Sequence, residues 1–435
     1  MADELSPINR LTRQVTKKKR SAALGFIFIT IFIDVLGLGI IIPVMPKLLQ
    51  TLGHFDLSTA SKYNGWLTLI YASMQLVFAS IMGSLSDRYG RRPVLLISLF
   101  GFSIDYMFMA FAPSIAWLFV GRFIAGVTGA STATATAYIA DISTGHKRDA
   151  NFGLVGAASG IGLILGVGLG GYLGELNIKF PFMAAAGFAA FNGFYGLFVL
   201  PESLKPQHRR RFDWKRANPL GSLIRVFTKH VGLAGLIGAI LLVYTGQKAV
   251  EYMLSFFLYE KFNWSMHSVS LLALFIGVLL FSIQAGLIRY TIPKYGQQKN
   301  IVGGIIFYAI GLTLIAFTTQ GWMVYLFMIP YCLGGISGPA LQGFATNKVA
   351  KNEQGELQGA ITIINSISVI VGPAVFSFLF SHYTDKQTGI YFPGAPFLLA
   401  AILMIISTFL AIRSFNSKVK KVKTKATSVK PTHTT

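Results

Sequence analysis

The chain has 435 residues, 53% of them hydrophobic and 12% charged, with 38 Lys and Arg against 16 Asp and Glu for a formal charge of +22. A soluble protein carries about twice that charged fraction. The basic residues fall in loops and tails between apolar runs, so the composition excludes a soluble enzyme or a nucleic-acid-binding face and leaves a polytopic membrane protein that touches anionic lipids.

Residues 1–20 are polar and basic and read as a cytoplasmic N-terminal tail. Lys17-Lys18-Lys19-Arg20 precede a full-length apolar run with no small-residue cleavage site, so the first helix is expected to stay in place. Apolar runs follow at about 22–46, 62–86, 94–113, 115–140, 151–175 and 181–200. A second set runs over 231–258, 268–290, 300–318, 322–347, 356–382 and 392–413. Each has roughly the twenty residues that span hydrocarbon, which predicts an all-α membrane protein of twelve transmembrane helices. The expected domains are a six-helix bundle over 21–200, a basic cytoplasmic linker over 201–230, a second bundle over 231–414 and a basic cytoplasmic tail over 415–435. The linker, with Arg209-Arg210-Arg211 and Lys215-Arg216, is too charged to cross and reads as a solvated connector. Of the 38 Lys and Arg, 31 fall in the tails and in loops after even-numbered spans, which places both termini inside. Cys332 is the one cysteine, so no intramolecular disulfide forms, and it reads as a packed thiol.

Between the second and third spans stands Gly83-Ser84-Leu85-Ser86-Asp87-Arg88-Tyr89-Gly90-Arg91-Arg92-Pro93. The glycines allow a sharp turn, and Pro93 suits the first turn of the next helix. Asp87 can anchor at a helix end, while Arg88, Arg91 and Arg92 are an orientation signal. Asp141, at the inner end of span four, is expected to join Asp87 and Arg91 in a network that latches the inner face. Weak internal symmetry supports two repeats around a central cavity. Gly126-Val127-Thr128-Gly129-Ala130 resembles Gly335-Ile336-Ser337-Gly338-Pro339, and Tyr89-Gly90 parallels Tyr295-Gly296, without the acidic residue.

Charged side chains at bilayer depth cost several kcal/mol unless paired or hydrated, so each is a candidate for function. Asp34 lies midway along the first span, where it can take a proton from one side and release it on the other. Asp105 sits at similar depth in span three, and Arg122 opens the glycine motif of span four. Two readings are open for these: a transport role, or a static ion pair between Arg122 and one aspartate. In span seven Gln247, Lys248 and Glu251 form a polar cluster. Lys248 and Glu251 are three apart and can pair. Their face either lines the cavity, holding substrate or a second proton, or lies near the outer mouth. Gln284, Gln342, Asn347 and Asn365 are further polar candidates for substrate or for helix–helix hydrogen bonds, and Glu175 reads as interfacial.

The chain has no H-E-x-x-H pair and no phosphate loop, so neither metal nor cofactor is expected, and energy must come from a gradient. The series Gly156, Gly160, Gly162, Gly166, Gly168, Gly170, Gly171 and Gly174 reads as a close-packed helix face.

The 83–93 loop resembles the signature of the major facilitator superfamily, and nearly the whole chain is similar to its tetracycline-resistance (Tet) drug/proton antiporter branch. The residues that carry the likeness include Ile33-Asp34, Pro43-Val44-Met45-Pro46, Asp105-Tyr106, Gly121-Arg122, Ile139-Ala140-Asp141, Gly170-Gly171, Gly338-Pro339 and Val371-Gly372-Pro373. The resemblance implies two pseudo-symmetric six-helix bundles, alternating access, and Asp34, Asp105 and Arg122 at positions used for coupling, with Glu251 as a candidate addition. Three departures stand out. Val167 replaces the proline of the span-five antiporter signature, which weakens strict export. Tyr308 stands near the place of an acidic residue in span nine, and Leu280 at that of a histidine in span eight. Tetracycline–metal recognition is therefore not expected, and Lys248 and Glu251 imply a different substrate, charged or zwitterionic.

The expected function is secondary transport, as a monomer in the bacterial inner membrane, exporting a small organic molecule or drug in exchange for protons. The alternatives are proton-coupled uptake of a charged or zwitterionic solute and a non-transporting membrane receptor or scaffold.

Overall fold

The computed structural model describes residues 7–129, 131–143, 146–210, 234–349 and 354–415. Its helices are α1 (Pro7–Gly53), α2 (Leu57–Tyr89), α3 (Arg91–Phe111), α4 (Ile115–Thr128), α5 (Ser131–Ile142), α6 (His146–Leu176) and α7 (Phe180–Val199). After the linker come α8 (Ala234–Phe262), α9 (Met266–Ser282), α10 (Ile288–Ala316), α11 (Gly321–Leu333), α12 (Ser337–Asn347), α13 (Gln354–Thr384) and α14 (Ala395–Phe415). Among the described residues, ten stretches are by themselves long and apolar enough to cross a bilayer, with α4–α5 and α11–α12 each counted as one. Two more complete the twelve spans. Helix α8 carries Gln247, Lys248 and Glu251 in its apolar run, and α9 continues through a π-helical turn over Ile283–Leu287. The linker from 211 and the tail from 416 lie outside the described residues. Helix α1 begins at Pro7, so the basic segment expected as a tail is continuous with the first span.

The repeat seen in sequence is a repeat of backbone shape. Gly90, between spans two and three, has φ 112°, and Gly296, between spans eight and nine, has φ 78°, a region that favours glycine. Span four breaks after Thr128, and span ten breaks through a 3-10 turn at Gly334–Ile336, so the helix interrupts at both Gly-x-x-Gly motifs. The second copy lacks the acidic residue of the first loop. There the Asn300 side chain donates to the Gly296 and Thr291 carbonyls, at 2.7 and 3.0 Å.

Small residues let backbones approach closely where lipid supplies no hydrophobic drive between helices. Helix α6 meets α1 this way. Gly162, Gly166 and Gly170, four apart, face Phe32, Leu36 and Ile40, also four apart; a methyl group on Gly162 or Gly170 would stand 2.6 Å from the facing carbonyl oxygen. Gly168 and Gly171 turn instead to Leu274 and Ser270 of α9. The glycine series is thus two packing faces, one within the first half of the molecule and one across to the second. Gly156 and Gly160 have open space beside them.

The bonds that cross between halves gather at the end away from the basic loops. Ser58 Oγ donates to the Ser381 carbonyl at 2.8 Å, and Ser61 Oγ to that of Ser377 at 3.2 Å. Tyr259 donates its hydroxyl to the Pro43 carbonyl, and the His267 N–H donates to Glu175 Oε1 at 2.9 Å. At the basic end Arg91 pairs with Asp141, Asn347 bonds Gln297 and Lys348 bonds the Ser414 carbonyl, each within one half.

Candidate functional site

A cavity of about 350 Å³ lies between the halves, walled by α1, α2, α4, α6, α8 and α13. The first half contributes Leu38, Ile41 and Met45 of α1, Leu163 of α6, and a polar stripe on α2: Asn64, Thr68, Tyr71 and Gln75. These recur at the helical spacing of three and four, so one face of α2 is polar by construction. Gln75 donates its side-chain amide to the Tyr71 hydroxyl at 3.0 Å and to the Gly129 carbonyl at 3.2 Å, fixing the phenol beside the break in span four. The second half contributes Glu251, Tyr252 and Phe256 of α8 and Val369 of α13.

Arg122 is the one basic side chain on this wall. Its Nε donates to Asp105 Oδ1 at 3.1 Å and its Nη2 to Asp105 Oδ2, a two-point ion pair between α4 and α3. Both are buried, and the guanidinium carbon stands 5.4 Å from the centre of the Tyr71 ring. Gly121 leaves room for this, since a methyl group there would meet Asp105 Oδ1 at 2.8 Å. An ion pair of Arg122 with one aspartate, which belongs to one of the two readings left open, is therefore present, and Asp105 is its acid. Arg122 itself faces the cavity.

Asp34 is not on the wall. It is 8% exposed and lies four, seven and eleven positions before Leu38, Ile41 and Met45, so it continues their stripe one turn nearer the basic end. Ser131, at the start of α5, stands beside its carboxylate, and Oδ2 has no hydrogen-bond partner among the described residues. A buried polar atom without a partner is uncommon and asks for a reason. Tyr106 of α3 packs its hydroxyl into the space above Gly37 on the next turn.

The position left open for the span-seven cluster is decided for Glu251, which lines the cavity. Lys248 Nζ pairs with Glu251 Oε2 at 2.5 Å, and its stem packs over Gly372 of α13. The Gln247 amide donates to the Tyr308 hydroxyl at 3.0 Å, and that of Gln342 to the Tyr244 hydroxyl at 2.6 Å. Both glutamines thus make helix–helix bonds, which for Gln342 was the alternative to substrate binding. Asn365 is exposed one turn from Val369 on α13, and Gln284 is exposed in the π-helical turn, away from the cavity wall.

The loop cluster forms within the first half. Arg91 pairs with Asp87 at 2.6 Å and through Nε with Asp141 at 3.2 Å, as expected. Arg88 lies over the Tyr89 ring at 5.0 Å. The cluster also has a member that sequence reading missed. Glu202, just past α7, accepts the backbone N–H groups of Arg91 and Arg92 at 2.8 and 3.2 Å, a carboxylate at the N-terminus of α3. Ser203 donates to Asp141 at 3.0 Å, and the Arg210 N–H to the Asp87 carbonyl at 3.1 Å. The segment after span six is thereby folded back over the signature loop. The α2 stripe was also missed, although its spacing was visible in the sequence.

A model of the family described as Major Facilitator Superfamily matches residues 27–373 and 294–433. The chain is 35% identical over 395 residues to the class C tetracycline resistance protein of Escherichia coli, covering 88% of this chain and 96% of that protein. It is 29% identical over 384 residues to multidrug resistance protein 2 of Bacillus subtilis (strain 168), covering 86% and 91% respectively. Among solved structures, the nucleoside transporter NupG superposes with a TM-score of 0.73 at 15% identity, over 91% of this chain and all of that one.

Proposed function

The chain belongs to the Major Facilitator Superfamily, and from that premise we propose that it exports a small organic molecule in exchange for protons by alternating access. The observation that carries the reading is Asp34. It is a buried carboxylate with one oxygen unpartnered, a turn from a cavity that both halves wall. Asp105 is held by Arg122, and Glu251 by Lys248. Asp34 can therefore gain or lose a proton without breaking an ion pair. Relatives named for tetracycline and multidrug resistance support export of a drug-like solute.

In this reading the molecule is a carrier of the bacterial inner membrane with both termini and the basic loops in the cytoplasm, which the distribution of Lys and Arg supports. The bonds between halves then lie on the outer side, and the cavity stands ready to open inward. Arg122, Tyr71, Glu251 and Tyr252 are the side chains placed to meet a solute, with Asn365 one turn below. The Asp87–Arg91–Asp141 cluster, tied to Glu202, acts as the first half's share of an inner gate.

The test uses reconstituted vesicles, with tetracycline and a panel of lipophilic cations as probes. An imposed pH gradient should move at least one probe in wild type and none in Asp34→Asn. Equal gradient-driven movement in both would remove Asp34 from the mechanism. Val167 in place of the signature proline favours proton-coupled uptake as the second reading. The direction of net flux under an inward proton gradient separates the two.

A further inference from the structure

A second cavity, of about 380 Å³, opens on the lipid-facing side of the molecule between α2 and α13. Its walls are Gly65 and Trp66 of α2 with Val375, Ser377 and Phe378 of α13, and they are almost wholly apolar. The groove exists because the two helices touch beneath it: Gly65 packs on Ser377, where a methyl group would approach to 2.8 Å. Trp66 and Phe378 flank it, 59% and 66% exposed, in a region where exposure means contact with lipid.

The rim carries one charge. Lys62 is exposed, the sole ionisable residue in the wall, and has no ion-pair or hydrogen-bond partner among the described residues. It lies five residues into α2, roughly 8 Å below the helix start at 1.5 Å per residue. At that depth a lysine stem lies along apolar surface while the ammonium reaches the headgroup layer, and a tryptophan one turn deeper suits the interface. Phe378 lies six residues from the end of α13, at the same level.

An apolar slot inside hydrocarbon takes an acyl chain, and an unpaired ammonium above it takes a negative headgroup. We propose that this groove is a binding site for an anionic phospholipid of the leaflet away from the basic loops, with one acyl chain between Trp66 and Phe378 and its phosphate at Lys62. The site is separate from the central cavity and rests only on the membrane-spanning fold, not on the transport reading.

Trp66 supplies the probe, because bromines on a lipid chain quench indole fluorescence on contact. Wild type and Trp66→Phe are reconstituted in phosphatidylcholine vesicles, and the difference in their emission isolates Trp66. Brominated phosphatidylglycerol should half-quench this signal at a mole fraction roughly five-fold lower than brominated phosphatidylcholine, the preference expected of one lysine at an anionic headgroup. Lys62→Arg should keep the preference and Lys62→Gln abolish it. Equal quenching by the two lipids, or a preference that survives Lys62→Gln, would overturn the proposal; the first outcome marks a groove open to any apolar occupant, transported solutes included. A second measurement needs no change at Trp66. By native mass spectrometry in mild detergent, wild type should retain one more phosphatidylglycerol than Lys62→Gln, and equal retention counts against the site.

Discussion

Arg122 and Glu251 face one cavity from opposite halves of the molecule, and each brings its own counter-charge: Asp105 on α3 for the arginine, Lys248 on α8 for the glutamate. The charges on the wall are thus balanced pair by pair within each half, and the halves can separate without stranding an ion. Of the two aspartates buried among the described residues, Asp34 has no basic partner there. A solute that binds between Arg122 and Glu251 competes with bonds already made, while a proton on Asp34 does not.

The Arg122–Asp105 pair is buried and two-pointed, so removal of one partner leaves an uncompensated charge. Asp105→Asn or Arg122→Gln should destabilise by about 3–5 kcal/mol. The double variant should recover part of that loss. Thermal unfolding in detergent, followed by loss of the monodisperse peak, measures it; full additivity of the two single effects would show that the pair does not act as a unit.

Gly166 stands against the Leu36 carbonyl of α1, whereas Gly156 has nothing beside it. Gly166→Val should force α1 and α6 apart at a cost of about 1–3 kcal/mol. Gly156→Ala should change stability by no more than about 0.5 kcal/mol in that direction. The same unfolding assay compares them, and equal effects would contradict the close approach of these two helices.

Glu202 accepts two N–H groups at the start of α3. Glu202→Ala should cost about 1 kcal/mol, as other helix caps do, and Glu202→Gln less. Hydrogen exchange of the Arg91 and Arg92 amides reads the contact directly. Exchange should quicken in Glu202→Ala, and unchanged protection would mean that another group caps the helix.

Ser58 and Ser381 place their hydroxyl oxygens 2.9 Å apart across the seam between halves. Paired cysteines there, in a chain whose own Cys332 is buried, should cross-link on oxidation, and the cross-link should halt transport until reduced. Undiminished flux through the cross-linked protein would show that the seam does not open in the cycle.

The fold was legible because hydrophobic length is a local property. Twelve runs, two glycine turns and the Gly-x-x-Gly breaks are all written within short stretches, and Gly90 and Gly296 adopt the backbone that their context demanded. Asp141 was placed correctly for the same reason, since a polar residue at a helix end has few places to go. The rotation of each helix is not local. Gln247 and Gln342 resembled cavity residues in sequence, yet Tyr308 and Tyr244, on other helices, claim their amides. Glu202 was invisible because its partners lie more than a hundred positions earlier in the chain. The α2 stripe from Asn64 to Gln75 had the period of a lining face, but uncharged polar residues in a span draw less notice than buried acids.

The most direct measurement compares two modes of transport in the same vesicles. With no pH gradient, labelled solute should exchange for unlabelled solute in wild type and in Asp34→Asn alike, because binding and the swing of the halves do not need the carboxylate. With a gradient imposed, only wild type should accumulate solute against its concentration. Uphill accumulation by Asp34→Asn, or loss of exchange together with accumulation, would contradict the assignment of Asp34 as the proton carrier.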